Sequence, residues 1–290
     1  MTTYYLNADT GVDSGAGDAA HPWKTIVYAI AHSVALDTLY CQNSAATFDF
    51  RTATITNRNI IGQSVSGVVF DGANGFYRWS CTEVINITNI WFKNISLQTG
   101  TAWSTCIIGY TSTATITISN CRFNNCYGRV YGSDGGLIGS IGGPAIVANL
   151  TISTCIFDDP KIYIGTGNAD LFAMKYAAAG SIFNFNNNVI IIRTASQQPL
   201  YLFAFPNGNV ALTIKNSIFR NLQASIAIGD INTNLGIYTV YNSDFNGTFT
   251  DGVTVSKTSC ITTDPLFVDE NNGNFNLRPT SPCIDTGTII

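Results

Sequence analysis

One short phrase constrains the fold more than any other feature, because the chain keeps repeating it. Its clearest copy is Thr115-Ile116-Thr117-Ile118-Ser119-Asn120-Cys121-Arg122-Phe123-Asn124-Asn125-Cys126. Further copies run Ile87 to Asn94, Ile152 to Asp159, Ile214 to Asn221 and Val240 to Gly247, with weaker ones from Ile55 to Gly62 and Phe185 to Ile192. The apolar anchor falls at positions 61, 92, 123, 157, 190, 219 and 245, at intervals of 31, 31, 34, 33, 29 and 26. A period in this range is the mark of a repeat architecture.

The chemistry of one unit explains the period. Alternation such as Ile116/Ile118 sends one face of a short strand inward and the Thr/Ser face outward. The following Asn turns the chain, since Asn tolerates left-handed backbone and bonds its neighbours. Phe re-enters the core, and the next Asn-Asn, Asp-Asp or Asn-Gly pair turns it out again. About 30 residues make a coil of roughly three strands, and coils stack at the strand spacing of ~4.8 Å. No unit buries its own core, so the neighbours supply it. Period two with β-branched residues excludes a helical repeat of similar length.

Composition narrows the class of function. Of the 290 residues 11% are charged, with a formal net charge of −4, so no basic stripe for nucleic acid is expected. No apolar run reaches the ~18 residues of a membrane span. The start, Met1-Thr2-Thr3-Tyr4-Tyr5-Leu6, lacks a basic region and a long apolar stretch. Synthesis without a signal peptide is therefore expected, unless a leader was removed. The eight cysteines include no CxxC pair. Cys121 and Cys155 share a repeat slot with Ser217 and Ser243, which predicts buried free thiols in a slot that asks only for a small apolar group.

Residues 1–50 depart from the repeat. Tyr4 to Asn7 reads as a strand, Thr10 to Asp18 as a polar loop, and Lys24 to Leu36 as a helix with Ile26, Ala29, Ile30 and Val34 near helical spacing. That helix is expected to cover the open edge of the first coil, and Asp37 to Cys41 to begin the solenoid. Here a resemblance becomes specific. Tyr5-Leu6-Asn7, Thr10-Gly11-Val12-Asp13-Ser14-Gly15, His21-Pro22-Trp23-Lys24-Thr25-Ile26, Ala29-Ile30 and Asp37-Thr38-Leu39-Tyr40 resemble the capped N-terminus of right-handed parallel β-helix proteins of the pectate-lyase superfamily. Asp264 to Asp269, Gly273 to Leu277 and Ser281 to Gly287 are similar to their closing motif. The resemblance covers nearly the whole chain and implies an all-β, single-stranded right-handed parallel β-helix with an N-terminal capping helix. It is read as one domain over 1–290: cap and first strand in 1–50, repeat coils in 51–250, and a closing segment in 251–290. The superfamily includes lyases, hydrolases, phage spikes and adhesins, so the fold does not carry a function with it.

Three stretches break the repeat and are the candidate functional loops: Tyr127 to Pro144, Lys161 to Gly180, and Leu200 to Phe205. They supply the candidate ligand-binding residues Arg129, Tyr131, Asp134, Lys161, Tyr163, Tyr176, Tyr201 and Phe203. The last stretch is apolar on both faces, so its outer face calls for a covering loop, a sugar or a second subunit.

The chemistry available is sparse. Related polygalacturonase-like hydrolases use three aspartates and a nearby His, and glycoside hydrolysis needs two opposed carboxylates. Asp158-Asp159 is the one adjacent pair of aspartates and is read as a turn, while His21 and His32 both lie in the cap. Lyases of this fold abstract the proton α to a uronate carboxylate with Lys or Arg, often beside Ca²⁺. Lys175 and Arg193 are the bases this would imply, and Asp134, Asp158, Asp159 and Asp170 the calcium candidates. No motif ties them together, so neither a catalytic residue nor a metal ligand or cofactor is assigned. The favoured expectation is a non-catalytic β-helix of a virion or cell surface, of phage tail, spike or decoration type. Its partners would be polysaccharide, further copies of itself or other surface proteins, with no nucleic acid or membrane. The alternative is a polysaccharide lyase that acts on an acidic glycan by β-elimination, with Ca²⁺ as its ion.

Overall fold

The computed structural model describes residues 1–290 except 76, 97–105, 133, 141–146, 168–169, 175–176, 195–200, 206–209, 230–236, 251–254 and 285–290. For 111, 129–132, 134–135, 163–167, 224–225, 227–229, 237 and 249–250 the backbone alone is described. The chain winds as a parallel β-helix with three strand faces, each a ladder of parallel pairs between successive coils.

The first face carries the Ile-x-Ile strands. Leu39, Ile60, Ile87, Ile118, Ile152, Phe185, Ile214 and Val240 stand in register and are all buried. The second face carries the anchors, as Phe48, Phe70, Phe92, Phe123, Phe157, Ile190, Phe219 and Phe245. Their rings stack, at 4.9 Å between centroids for Phe92 on Phe123 and for Phe123 on Phe157. One anchor moves: Ile61 lies on the first face beside Tyr40 and Thr88, outside the core row. Phe70 takes the slot expected of it, because these early coils are only 22 residues long from Phe48 to Phe70 and again to Phe92.

The turn between the two faces rests on left-handed residues. Asn89, Asn120, Thr154, Asn187, Asn216 and Asn242 all have φ between 45° and 60°, as the repeat predicted. A second left-handed position follows the anchor at Asn94, Asn125 and Asp159. Asn amides bridge the coils there, from Asn120 Nδ2 to Asn89 Oδ1 at 2.7 Å and from Asn125 Nδ2 to Asn94 Oδ1 at 2.8 Å.

The third face takes up part of each stretch that looked like a functional loop, as Ile138–Ser140, Asp170–Ala173 and Tyr201–Ala204. Trp79, Ile108, Ile138, Phe172 and Phe203 align in register and are buried. Leu202, Ala204 and Phe205 are buried as well, so the outer side of this doubly apolar strand is covered within the single chain.

At the N-terminal end one helix serves as the cap, as expected, with Ile26 and Ala29 in the core. The helix spans Ile26–His32, with Thr25 as its N-cap accepting from the Tyr28 N–H. Asp13 fixes that start by accepting from the Lys24 and Thr25 N–H groups and the Thr25 hydroxyl. Arg58 closes the other end by donating to the carbonyls of Ile30 and Ser33. Yet the helix does not satisfy the edge strand Thr3–Leu6. The segment 17–23 does, through Tyr5 N–H to Gly17 O, Trp23 N–H to Tyr5 O and Asn7 N–H to Trp23 O. The physical reason is that a helix has spent its backbone groups internally, whereas an exposed edge needs another extended chain. No helix among the described residues is long and apolar enough to cross a membrane.

Candidate functional site

Alternation fixes what the second face shows to the outside. Residues that flank the inward anchors must point out, and they form two rows. One reads Trp91, Arg122, Ile156, Val189, Ile218, Asp244; the other reads Lys93, Asn124, Asp158, Ile191, Arg220, Asn246. Ile156, Val189, Ile191 and Ile218 make an apolar patch in the middle. The C-terminal segment covers it: Phe267–Asp269 pairs antiparallel with Asn274–Leu277, and Phe267, Phe275 and Leu277 pack on the patch.

Charged groups border this contact. Asp158 is 4% exposed and accepts from Arg122 Nη2 at 2.9 Å, from Asn124 Nδ2 at 3.0 Å and from Arg193 Nη1. Arg193 also donates to the Glu270 carbonyl at 3.0 Å, which ties the clamp to the C-terminal segment. Arg220 pairs with Glu270 at 2.7 Å and with Asp264 at 3.4 Å. Phe275 lies beside two of these cations, with its ring centroid 5.5 Å from the Arg122 guanidinium and 5.6 Å from that of Arg193. Arg122 rests on Trp91 as well, at 4.9 Å. Guanidinium over an aromatic face is an attractive pairing.

The neighbouring turn holds a second group. Asp159 accepts from the Arg193 and Thr194 N–H groups and from the Thr194 hydroxyl, and pairs with Lys161 at 3.4 Å. Burial alone would raise its carboxyl, but the Thr194 hydroxyl and the two N–H groups outweigh this and hold it below the usual value. Lys161 donates onward to the Tyr127 hydroxyl at 3.3 Å. The turn reading of Asp158-Asp159 thus holds for Asp159 alone; Asp158 ends a strand as the centre of the clamp.

The sequence-derived candidates separate into three groups. Arg129 and Tyr131 on Tyr127–Gly132, Asp134 on Asp134–Gly136, and Lys161 and Tyr163 on Lys161–Gly167 come together on one separate three-stranded sheet. In it Tyr131 pairs with Asp134, and Tyr127 with Lys161. Tyr201 is half-buried on the third face, aligned with the buried Asp170. Phe203 is a correction: it is fully buried, stacked on Phe172 at 5.3 Å, and presents no ring to a ligand. Lys175 and Tyr176 lie outside the described residues. Arg193 is committed to Asp158 and Glu270. Among the described residues no three His, Cys, Asp or Glu gather as a metal site.

Sequence reasoning missed Arg122, Arg220, Glu270 and Phe275. A signal was present, since Ile156, Val189 and Ile218 each precede an inward anchor and are apolar where the face should be polar. Such a row must be covered.

No protein-family model and no curated protein matches the chain. Among solved structures it is similar to the pectate lyase Pel9A, at 13% identity and a TM-score of 0.45 over all of this chain and 92% of that one. It is also similar to the GH136 lacto-N-biosidase from Eubacterium ramulus, at 8% identity and a TM-score of 0.37 over 90% of this chain and 68% of that one. At these values neither likeness speaks to chemistry. The ladders themselves define the class, a parallel β-helix.

Proposed function

We propose that the protein is a non-catalytic β-helix of a virion or cell surface that contacts polysaccharide through the sheet formed by Tyr127–Gly132, Asp134–Gly136 and Lys161–Gly167. The carrying observation is that this sheet gathers Arg129, Tyr131, Asp134, Lys161 and Tyr163, aromatic and charged residues, outside the three strand faces. Aromatic bodies with polar tips suit the two-sided surface of a sugar. The second face supports the same reading, since the chain's own C-terminal segment lies across its apolar patch and Arg122, Arg193 and Arg220 are spent on Asp158, Glu270 and Asp264.

The test pairs binding with turnover on one panel of bacterial capsular, pectic, alginate and glycosaminoglycan polymers. Expected is saturable binding to at least one polymer, weakened about tenfold or more by Tyr131→Ala or Tyr163→Ala, with no rise in ultraviolet absorbance. A rise from unsaturated uronate that Arg193→Ala or Lys175→Ala abolishes would replace this reading with the lyase.

A further inference from the structure

We propose that Asp244 turns the C-terminal segment into a pH-responsive strap, closed over the second face in acid and released more often toward neutral pH. The row that this segment covers runs Ile156, Val189, Ile218, Asp244, so its last member is an acid where the others are apolar. Asp244 is 2% exposed, and its Oδ1 has no hydrogen-bond partner. A buried carboxylate oxygen left in that state is costly.

The segment itself keeps this carboxylate from water. A cavity of about 120 Å³ adjoins it, with Ile218, Ser243 and Ile261 on the side of the coils and Leu277 and Cys283 on the side of the segment. Both ends of the segment reach the same side chain. The Cys283 thiol donates to Oδ2 at 3.4 Å, and the Thr263 N–H also favours the charged form. The cation that acts on the charge is Arg220 of the preceding coil, and it is already paired with Glu270 at 2.7 Å and with Asp264 at 3.4 Å. Asp264 opposes ionisation of its neighbour.

Burial decides the balance. It raises the Asp244 carboxyl to about 6, with Asp264 adding to it and Cys283, Arg220 and Thr263 opposing. With the segment lifted away the carboxylate meets water and titrates near about 4, as an exposed Asp does. Closing in neutral solution takes up a proton onto Asp244, and opening releases it to solvent. Because the raised value belongs to the closed state, the contribution to closure is whole below about 4 and is lost as pH rises through about 6. Between pH 5 and 7.5 the open population should grow about tenfold. The event is local, since the hairpin of the segment is a separate two-stranded sheet. It bares the apolar row and, beside it, Arg122 and Arg193, on which Phe275 rests in the closed state.

The test is limited proteolysis of the whole protein across this pH range. The rate of cleavage within 264–284 is divided by the rate of the same protease on an unfolded peptide in the same buffer. Expected is a rise of about tenfold from pH 5 to 7.5 that levels off above about pH 6, and no such rise in Asp244→Asn or Asp244→Ser. Melting temperatures show whether each variant is folded. The proposal is overturned by a flat rate in the parent, or by a rise that survives in the neutral variants. It is equally overturned if sites within the coils gain cleavage in step with the segment, because the pH effect would then be global.

Discussion

The side-chain carbonyl of Asn188 accepts the backbone N–H of Cys155 at 2.8 Å. The same arrangement runs along the stack, from Cys121 N–H to Cys155 Sγ at 3.4 Å, Asn188 N–H to Ser217 Oγ at 3.2 Å and Ser217 N–H to Ser243 Oγ at 3.2 Å. The slot thus asks for an acceptor as well as small size, which corrects the expectation of a merely apolar group. Asn188 also donates to the Ile152 carbonyl at 2.9 Å. Asn188→Leu keeps the volume and removes both bonds, leaving the Cys155 N–H buried and unmet. A loss of about 1–3 kcal/mol is expected in urea denaturation. Asn188→Ser restores the acceptor, so its loss should be clearly smaller; equal losses would show that the ladder contributes nothing.

The stacked anchors are the main apolar core of the second face. Phe123 is fully buried between Phe92 and Phe157. Phe123→Ala removes both ring contacts and opens a cavity that rigid neighbouring coils cannot fill. The expected cost is about 3–5 kcal/mol. A melting curve that matches the parent would show the register to be wrong.

All eight cysteines are free, six of them buried. Burial pushes the Cys81 and Cys126 thiols up to about 12, so they are poor nucleophiles in the folded protein. Protein denatured without reductant should titrate for about eight thiols. The native protein at neutral pH should react slowly and first at the part-exposed Cys260. A denatured count of six would reveal a disulfide and contradict the packing.

The repeat made the two inner rows of the fold legible because alternation and left-handed Asn are local properties. Phe92, Phe123, Phe157 and Phe219 could be aligned by eye. Phe48 and Phe70 could not, since their coils are shorter and the phrase Ile55 to Gly62 supplied a competing register. The third face was hidden because Ile138, Phe172 and Phe203 sit in stretches without a shared phrase, so its strands looked like loops. The clamp was hidden for another reason: Arg193 and Glu270 are 77 residues apart, and no period relates a closing segment to the coil that it crosses. Five candidates do meet on one sheet, because the segments after Phe123 and Phe157 both lengthen where they leave the second face.

Asp244 makes stability depend on pH. Burial, with the Asp264 charge adding to it, raises its carboxyl to about 6 against the Cys283 thiol and Arg220, which oppose the shift. A carboxyl raised in the folded state stabilises that state while protonated. The contribution is fully present below the unfolded value of about 4 and is lost as pH rises through about 6. Asp244→Asn should therefore be more stable than the parent at pH 7 and about equal to it at pH 4, measured by urea midpoints. A gap of the same size at both values would assign the effect to packing.

Phe275 and Arg193 hold the C-terminal segment by different means, and they can be separated. Phe275 is 8% exposed and packs on Ile191 with Phe267, so Phe275→Ala removes burial and uncovers the apolar row. Arg193→Ala removes the bond to the Glu270 carbonyl but leaves Asp158 paired with Arg122 and Asn124. Neither change touches the inward ladders, so the coils should keep their melting temperature while the segment opens more often. A local loss of about 3 kcal/mol for Phe275→Ala raises the open population on the order of 100-fold, and Arg193→Ala should raise it less. Limited proteolysis should show faster cleavage within 264–284, in the order Phe275→Ala, then Arg193→Ala, then parent. Salt should speed cleavage of the parent and of Arg193→Ala alike, by screening the Arg220–Glu270 and Arg220–Asp264 pairs that both retain. Equal cleavage rates in all three proteins would mean that the segment is held elsewhere, and that the apolar row on the second face is not what fastens it.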